Sequence, residues 1–408
     1  MPPDGAGVST FRALRHRNFR LWFFGQLTSL VGTWMQSIAQ NWLVYQLTGS
    51  ARDLGLVNFV GAIPLVPLTL YAGAIADRFE KRRVIFWCQA AMMALAFLLA
   101  FLCWTGAVRL WHVLLLAFLL GAAQALDTPA RQAFVVELVG KEDLSNAIAL
   151  NSGIFHGARV LGPAAAGVLI VASGVTGAFF LNGVSFVAVL LCLYLMDAAL
   201  IRRTGGGRES GRDLLGGVKY IRDHRVPRAI FVLISLSALL AMPYYVLIPI
   251  FAREILGRGA EGYGVLMSAA GVGAVLGSLF SASRHVGERK GATITAGSLA
   301  FPFLLLAFAF CTTYAAAILL LVAVGFAFVL QNAPANSLLQ HLVPDPLRGR
   351  VMALYVSLFL GLMRVGGMLL GGLASMTSAP PALAALSVAG LLVGLWVRFR
   401  YPELSRSA

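Results

Sequence analysis

Twelve apolar runs fill almost the whole chain, each close to the ~20 residues that a helix needs to cross a ~30 Å hydrocarbon core. They fall near 20–47, 54–76, 84–105, 111–131, 147–173, 176–197, 229–251, 262–283, 292–312, 314–335, 351–374 and 381–398. Hydrocarbon offers the backbone no hydrogen-bond partner, so runs of this kind must be helices. Composition agrees: of 408 residues, 59% are hydrophobic and only 12% charged, about half the ~25% of a soluble domain. So few water-facing groups cannot cover a soluble globule. A soluble enzyme, a disordered scaffold and a disulfide-stapled module are excluded, and the fold class is an all-α integral membrane protein.

The net charge of +15 would suggest a nucleic-acid partner on a soluble domain. Here the basic residues sit in short loops between apolar runs. With a cytoplasmic N-terminus, 26 of the 32 Lys and Arg fall in inner segments and 4 in outer loops (Arg52, Arg109, Arg253, Arg258). That asymmetry satisfies the positive-inside rule, predicting cytoplasmic termini and no nucleic-acid partner. The basic loops are topological determinants that can touch anionic lipid heads. No cleavable targeting segment is expected, since the first run is too long and too polar for a signal-peptide core. Cys88, Cys103, Cys192 and Cys311 all lie in apolar stretches without metal or redox spacing.

The longest polar stretch, 198–228, holds Gly205-Gly206-Gly207 and eight basic residues. No strand precedes the glycines and no P-loop Lys follows, so they read as flexible linker. The expected organisation is an N-terminal segment (1–19), a six-helix bundle (20–197), the linker (198–228), a second six-helix bundle (229–398) and a tail (399–408). The halves repeat. Pro129-Ala130 answers Pro334-Ala335 at a shift of 205, while Leu138-Val139 answers Leu342-Val343 at 204. Gly157, Gly162 and Gly167 answer Gly361, Gly366 and Gly371, again at 204. Parallel six-plus-six duplication is the architecture of transporters that rock two halves about a midplane site.

Polar residues inside the runs are the candidate functional groups. The first run carries Gln26, Ser29, Thr33, Gln36, Ser37 and Gln40 on one face, which must meet protein or a water-filled cavity. The fourth ends with Gln124, Asp127, Thr128 and Arg131 on one face, and of the 17 carboxylates Asp127 alone falls inside a predicted span, Asp197 standing at the last residue of the sixth run. An intramembrane acid is a functional candidate: Asp127 could gate, couple protons, or simply pair with Arg131. The fifth run places Ser152, His156 and Arg159 on one face, with Arg364 near the repeat position of Arg159. An arginine there needs a carbonyl, an anion or water, so Arg159 meets either an acidic substrate group or carboxylate, or backbone carbonyls. His156 is a second proton-coupling candidate. Tyr244, Tyr245, Phe328, Gln331 and Asn332 complete a candidate cavity for a bulky amphipathic ligand. Gly162-Pro163 is a candidate hinge. No catalytic constellation, metal spacing or cofactor loop is present in the sequence, so neither an enzyme nor a cofactor is expected.

Gly73-Ala74-Ile75-Ala76-Asp77-Arg78-Phe79-Glu80-Lys81-Arg82-Arg83 resembles the G-x-L-A-D-R-x-G-R-K-x loop signature of the major facilitator superfamily, with Glu80 in a glycine position. Leu47-Thr48-Gly49-Ser50-Ala51, Asp127-Thr128-Pro129-Ala130-Arg131, Ala158-Arg159-Val160-Leu161-Gly162-Pro163 and Leu347-Arg348-Gly349-Arg350-Val351-Met352 narrow the resemblance to its bacterial enterobactin-exporter and macrolide-efflux branch. The resemblance implies two pseudo-symmetric six-helix bundles. It also implies a gating charge network of Asp77, Arg78, Lys81, Arg82, Asp127 and Arg131, with Asp77 near the start of the eleventh helix. The Gly162-Pro163 motif implies export. The expectation is therefore a monomeric exporter in a bacterial inner membrane, moving an amphipathic drug, macrolide or siderophore in exchange for protons. The alternatives are a lysophospholipid flippase, an importer of the same fold, or a non-transporting sensor.

Overall fold

The computed structural model describes residues 11–65, 68, 79–140, 142–201, 214–282 and 289–407. Among these, nine helices are long and apolar enough to cross a membrane. Dividing one of them at a turn makes ten, and two further helices, Arg17–Thr48 and Ala51–Ala62, bring the series to twelve helices. The longest, Leu144–Leu195, has 52 residues, about 78 Å at 1.5 Å per residue and more than two hydrocarbon thicknesses. It turns back at Gly174, whose φ of 69° and ψ of −179° suit glycine alone. The turn separates α5 (144–173) from α6 (175–195). The first helix, α1 (Arg17–Thr48), has 32 residues and the length to span, its polar residues diluting its hydropathy. Helix α2 (Ala51–Ala62) continues the series toward residues outside the described set. The others are α3 (Lys81–Trp104), α4 (Leu110–Val139), α7 (Arg225–Ile255), α8 (Ala260–Ser281), α9 (Lys290–Ala309), α10 (Tyr314–Leu342), α11 (Asp345–Met376) and α12 (Ala379–Arg400).

The apolar runs thus become helices, with two informative differences. Helix α4 continues to Val139, about two turns beyond its run, and carries Glu137 into a buried position. Helix α7 is continuous only to Leu240, then tightens into 3-10 geometry over Met242–Val246 and widens into a π-turn over Phe251–Ile255. Pro243 supplies the cause: it lacks an N–H and its ring excludes the carbonyl four residues back, Leu239. That carbonyl is covered by α11, where a Cβ on Gly366 would collide with Leu239 O. The stretch 198–228 contains a helix, Leu214–Asp223. This helix packs on α11 through Gly217 beside Leu354, and Tyr220 Oη donates to Leu342 O at 2.7 Å. The triple glycine lies outside the described residues.

The glycine repeat shows how the halves are put together. Gly162 packs inside the first half, on Trp34 and Val31 of α1, as Gly366 packs inside the second half on α7. Gly167 and Gly371 instead face the opposite half. Gly167 meets Glu261 and Gly264 of α8, and Gly371 meets Ala51 and Gly55 of α2. The contacts even share carbonyls at repeat positions: a Cβ on Gly264 would lie 2.6 Å from Pro163 O, and one on Gly55 would lie 2.5 Å from Gly367 O. Backbones this close are the small-residue packing of membrane helices. Towards the end of the bundle that carries both termini, the stripe opens. Gly153 and Gly157 on α5, and Gly361 on α11, have no atom within 4 Å of where a Cβ would sit. The two halves therefore touch at the end distal to the termini and diverge toward the terminal end.

This geometry predicts opposite effects for two similar substitutions. Gly264→Ala would push a Cβ onto Pro163 O and lower unfolding stability by about 1–3 kcal/mol. Gly157→Ala meets open space and should be neutral or stabilising by up to about 1 kcal/mol through helix propensity. Unfolding of the purified protein in mild detergent measures both, and equal losses would contradict the proposed extent of the contact zone.

Candidate functional site

Where the halves separate, aromatic side chains from both surround one cation. Arg159 of α5 is half-buried, its guanidinium carbon 5.9 Å from the centre of the Trp34 ring and 5.6 Å from that of Phe328. Trp34 belongs to α1 and meets Phe155 edge-on at 5.9 Å. Phe328, on α10, leans on Phe301 of α9 at 5.6 Å and Phe359 of α11 at 6.4 Å. Tyr244 packs edge-on against Phe301 at 6.3 Å. Five helices besides α5 thus build an arc of π-faces, and Arg159 reaches across the divide to use it. A cation over a ring gains about 0.5–2 kcal/mol, and among the described residues no group accepts from the Arg159 N–H groups.

The other expected cavity residues divide. Arg364 donates to Asn58 Oδ1 at 3.1 Å, and Asn58 donates onward to Asn41 at 3.0 Å. Gln331 is buried and accepts from Ser237, while Asn332 donates to Phe328 O. Gln36 is buried and accepts from Asn182 of α6, and Thr33 donates to Ser29 O of its own helix. Gln40 and Gln124 are half-buried, and Tyr245 has a buried hydroxyl without a protein partner. Gln26 accepts from Arg131 at 2.9 Å. Gly162 and Pro163 lie in continuous helix, the break in this stretch falling at Gly174. His156 lies on α5 with its side chain outside the described residues.

Among the described residues, the expected charged groups appear in two ion pairs. Asp127 has 0% exposure. It binds Arg131 Nε at 2.7 Å, one turn on, and accepts from Gln89 Nε2 at 3.2 Å on both oxygens. Lys81 goes instead to Glu137, Nζ to Oε1 at 2.6 Å. Arg82 turns outward to Tyr194 O. Asp77 and Arg78 lie outside the described residues. Sequence reasoning missed Glu137, because α4 outruns its apolar stretch, and Gln89, an isolated amide in an apolar run.

It also missed the distal closure. Tyr45 Oη on α1 donates to Glu254 Oε1 at 2.6 Å in the π-turn of α7, with Arg253 over the same ring at 5.6 Å. Trp42 stacks on Tyr263 of α8 at 6.0 Å. The only advance signal was Pro243 and Pro249 in one span, which foretell irregular helix.

At the terminal end, His16 and Arg12 converge on Asp143, at 2.8 and 2.7 Å, and Ala13 N donates to Asn146. The hydrogen bond from the His16 ring, with Arg12 beside it, holds the Asp143 carboxyl below the usual carboxylate range. A depressed acid contributes stability above its unfolded pKa and loses it as pH falls through the folded one. Asp143→Asn should therefore flatten the pH dependence of the melting temperature below about pH 4, the ordinary Asp range. The Lys81–Glu137 pair makes a second prediction. Glu137→Gln should cost about 3–5 kcal/mol by leaving the buried Lys81 ammonium without its carboxylate, and adding Lys81→Met should recover part of it. A double-mutant unfolding cycle reads the difference.

Comparison with known proteins fits this geometry. The chain is 27% identical to the staphyloferrin A transporter of Staphylococcus aureus, over 64% of this chain and 66% of that one. It is 27% identical to the multidrug efflux pump Tap of Mycolicibacterium fortuitum, over 91% and 93%, and 26% identical to the enterobactin exporter EntS of Citrobacter koseri, over 96% and 93%. A bacterial homolog of the human lysosomal transporter Spinster, solved in an inward-facing and unoccupied conformation, superposes with a TM-score of 0.73 at 13% identity, covering 98% of each chain. That likeness shows the fold, two six-helix bundles of the major facilitator type, and the relatives are transporters rather than enzymes. The family model described as a transmembrane secretion effector, MFS_3, matches residues 8–407, and the protein belongs to that family.

Proposed function

We propose that the protein is a secondary active exporter that carries an amphipathic small molecule across a bacterial cytoplasmic membrane by alternating access, in exchange for protons. The observation that carries this reading is the cradle around Arg159, built by both halves at the point where their contact ends. A molecule lying against Trp34 and Phe328 touches two bodies at once, so it favours whichever arrangement brings them together. With the basic loops inside, the gap opens to the cytoplasm, where an exporter loads. Exchange of the contacts at Gly55, Gly167, Gly264 and Gly371 for contacts at the terminal end would turn the cradle outward. These contacts lie beside buried apolar side chains of both halves, Trp42 on Tyr263 among them, so separation there exposes apolar surface that a contact at the terminal end has to offset.

Asp127 suits the proton step. Its charge is balanced by Arg131, which also holds Gln26 of α1. Protonation would neutralise the acid and leave Arg131 with Gln26 alone, changing how α4 holds α1. The efflux and siderophore-export functions in the names of Tap and EntS support export.

Inside-out vesicles test the proposal with a panel of macrolides, catecholate siderophores and cationic dyes. Wild type should accumulate at least one of them under an imposed proton gradient, and Asp127→Asn should lower gradient-driven uptake at least about tenfold, the scale of losing one charged interaction. Uptake that survives collapse of the gradient would overturn proton exchange. A panel that does not move at all would count against export.

A further inference from the structure

We infer that the cradle selects anions: the transported molecule carries a carboxylate or similar acidic group on an aromatic or apolar body, with Arg159 meeting the acid and Trp34 and Phe328 holding the body. This rests on the exporter reading and narrows its substrate class.

The argument is one of charge accounting within the membrane. Lys81 and Glu137 neutralise each other, and so do Asp127 and Arg131. What remains in mid-span is two arginines, Arg159 and Arg364, placed at matching depths by the repeat, with a shift of 205 against the prevailing 204. The repeat supplies an internal control. Arg364 shows what a structurally satisfied arginine looks like here, since it donates to Asn58, which is anchored in turn by Asn41. Arg159 occupies the equivalent place with a different environment. Its guanidinium has five N–H donors, yet among the described residues no carboxylate lies within ion-pair distance and no oxygen accepts from it. Its contacts are the faces of Trp34 and Phe328. Rings attract a cation but leave the guanidinium edge free, and that edge is shaped for a planar acid held through two parallel hydrogen bonds.

Placement adds a second line. Arg159 is fixed in the zone where the halves meet: Ser268 of α8 donates to Val160 O at 3.0 Å, and a Cβ on Gly271 would lie 3.0 Å from Arg159 O. The backbone is thus clamped across the divide while the side chain stays half-exposed. The arc of Phe328, Phe301, Phe359 and Tyr244 offers an apolar body π-faces but no counter-charge. A cationic amphiphile would meet the same rings and be repelled by Arg159. A neutral one would gain only the rings.

A matched set of probes tests this: 1-pyrenebutyrate, 1-pyrenebutanol and 1-pyrenebutylamine, which share one body and differ in charge. Binding to the purified full-length protein in a non-ionic detergent is read as energy transfer from tryptophan to pyrene. Only the part lost in Trp34→Phe is counted, which removes probe dissolved in the micelle. Wild type should bind the butyrate at least about tenfold more tightly than the other two, the scale of one charge-assisted hydrogen bond. Arg159→Gln should abolish the preference while leaving the ring contribution, and Arg159→Lys should retain a reduced preference. The melting temperature of each variant without probe shows that it is folded, and the charge-retaining lysine variant covers a glutamine variant that fails to fold. Displacement of butyrate by phosphatidylglycerol in wild type but not in Arg159→Gln would support the same anion site, with a lipid headgroup as the source of the acid. Equal binding of the three probes, tighter binding of the amine, an unchanged preference in both Arg159 variants, or no Trp34-dependent binding would overturn the inference. Vesicles that still pumped a cationic dye would then leave export standing without it.

Discussion

A polar group in hydrocarbon must find a partner inside the protein, and in this chain that constraint decides the structure more than apolar packing does. Lipid tails are as apolar as leucine, so burying leucine against leucine brings little helix association. Association comes instead from close backbone approach at glycines and from polar groups that satisfy one another across helices. Gly162 and Gly366 allow α5 and α11 to rest on α1 and α7 within each half, and Asn182 to Gln36 ties α6 to α1. Lys81 and Glu137 fasten α3 to α4, and Gln89 reaches from α3 to Asp127. In the first half these links tie α1, α3, α4 and α6 together.

Contact between the halves is of another kind. It uses the same glycine device at Gly55, Gly167, Gly264 and Gly371, and among the described residues the side-chain hydrogen bonds across it include Tyr45 to Glu254, Arg364 to Asn58 and Ser268 to Val160 O. An interface of close backbone contacts, apolar side chains such as Trp42 on Tyr263 and a few polar links can separate without stranding many hydrogen-bonding groups. The difference between linked helices within a half and a sparsely hydrogen-bonded divide suits the proposed rocking of the halves. It also explains why the cradle sits at the edge of that divide, where a ligand can see both bodies.

What the sequence discloses follows from whether the signal is local. Helix count, orientation bias and repeat are local or periodic properties: run length, loop charge and a recurring glycine at 204. Asp127 with Arg131 was readable too, since one helical turn separates them. Lys81 with Glu137 joins positions 56 apart in sequence, and no composition or spacing argument selects that partner from other acids. Trp34 escaped notice because a tryptophan in an apolar run is usually packing, whereas Arg159 stood out as a charge where charges are costly. Half of the cradle was therefore visible as chemistry and half only as geometry. The π-turn that aims Glu254 at Tyr45 is likewise a consequence of two prolines acting through backbone geometry that a linear reading does not resolve.

The two halves fail to match at the places where the proposed function lies. Gly162 and Gly366 perform the same packing, yet α1 runs unbroken beneath the first while α7 loses its helical geometry beneath the second, because Pro243 removes a hydrogen bond there. The broken helix brings Tyr244 into the arc and carries Glu254 to the distal closure, which a straight helix would not do. Arg159 and Arg364 diverge in the same way, one given rings and the other an amide. Duplication supplied a symmetric frame that can rock, but a symmetric cavity would hold its ligand equally in two opposed orientations. Breaking the symmetry at Pro243 and at the partners of one arginine gives the cavity a direction, with a cation on one wall and π-faces on the other.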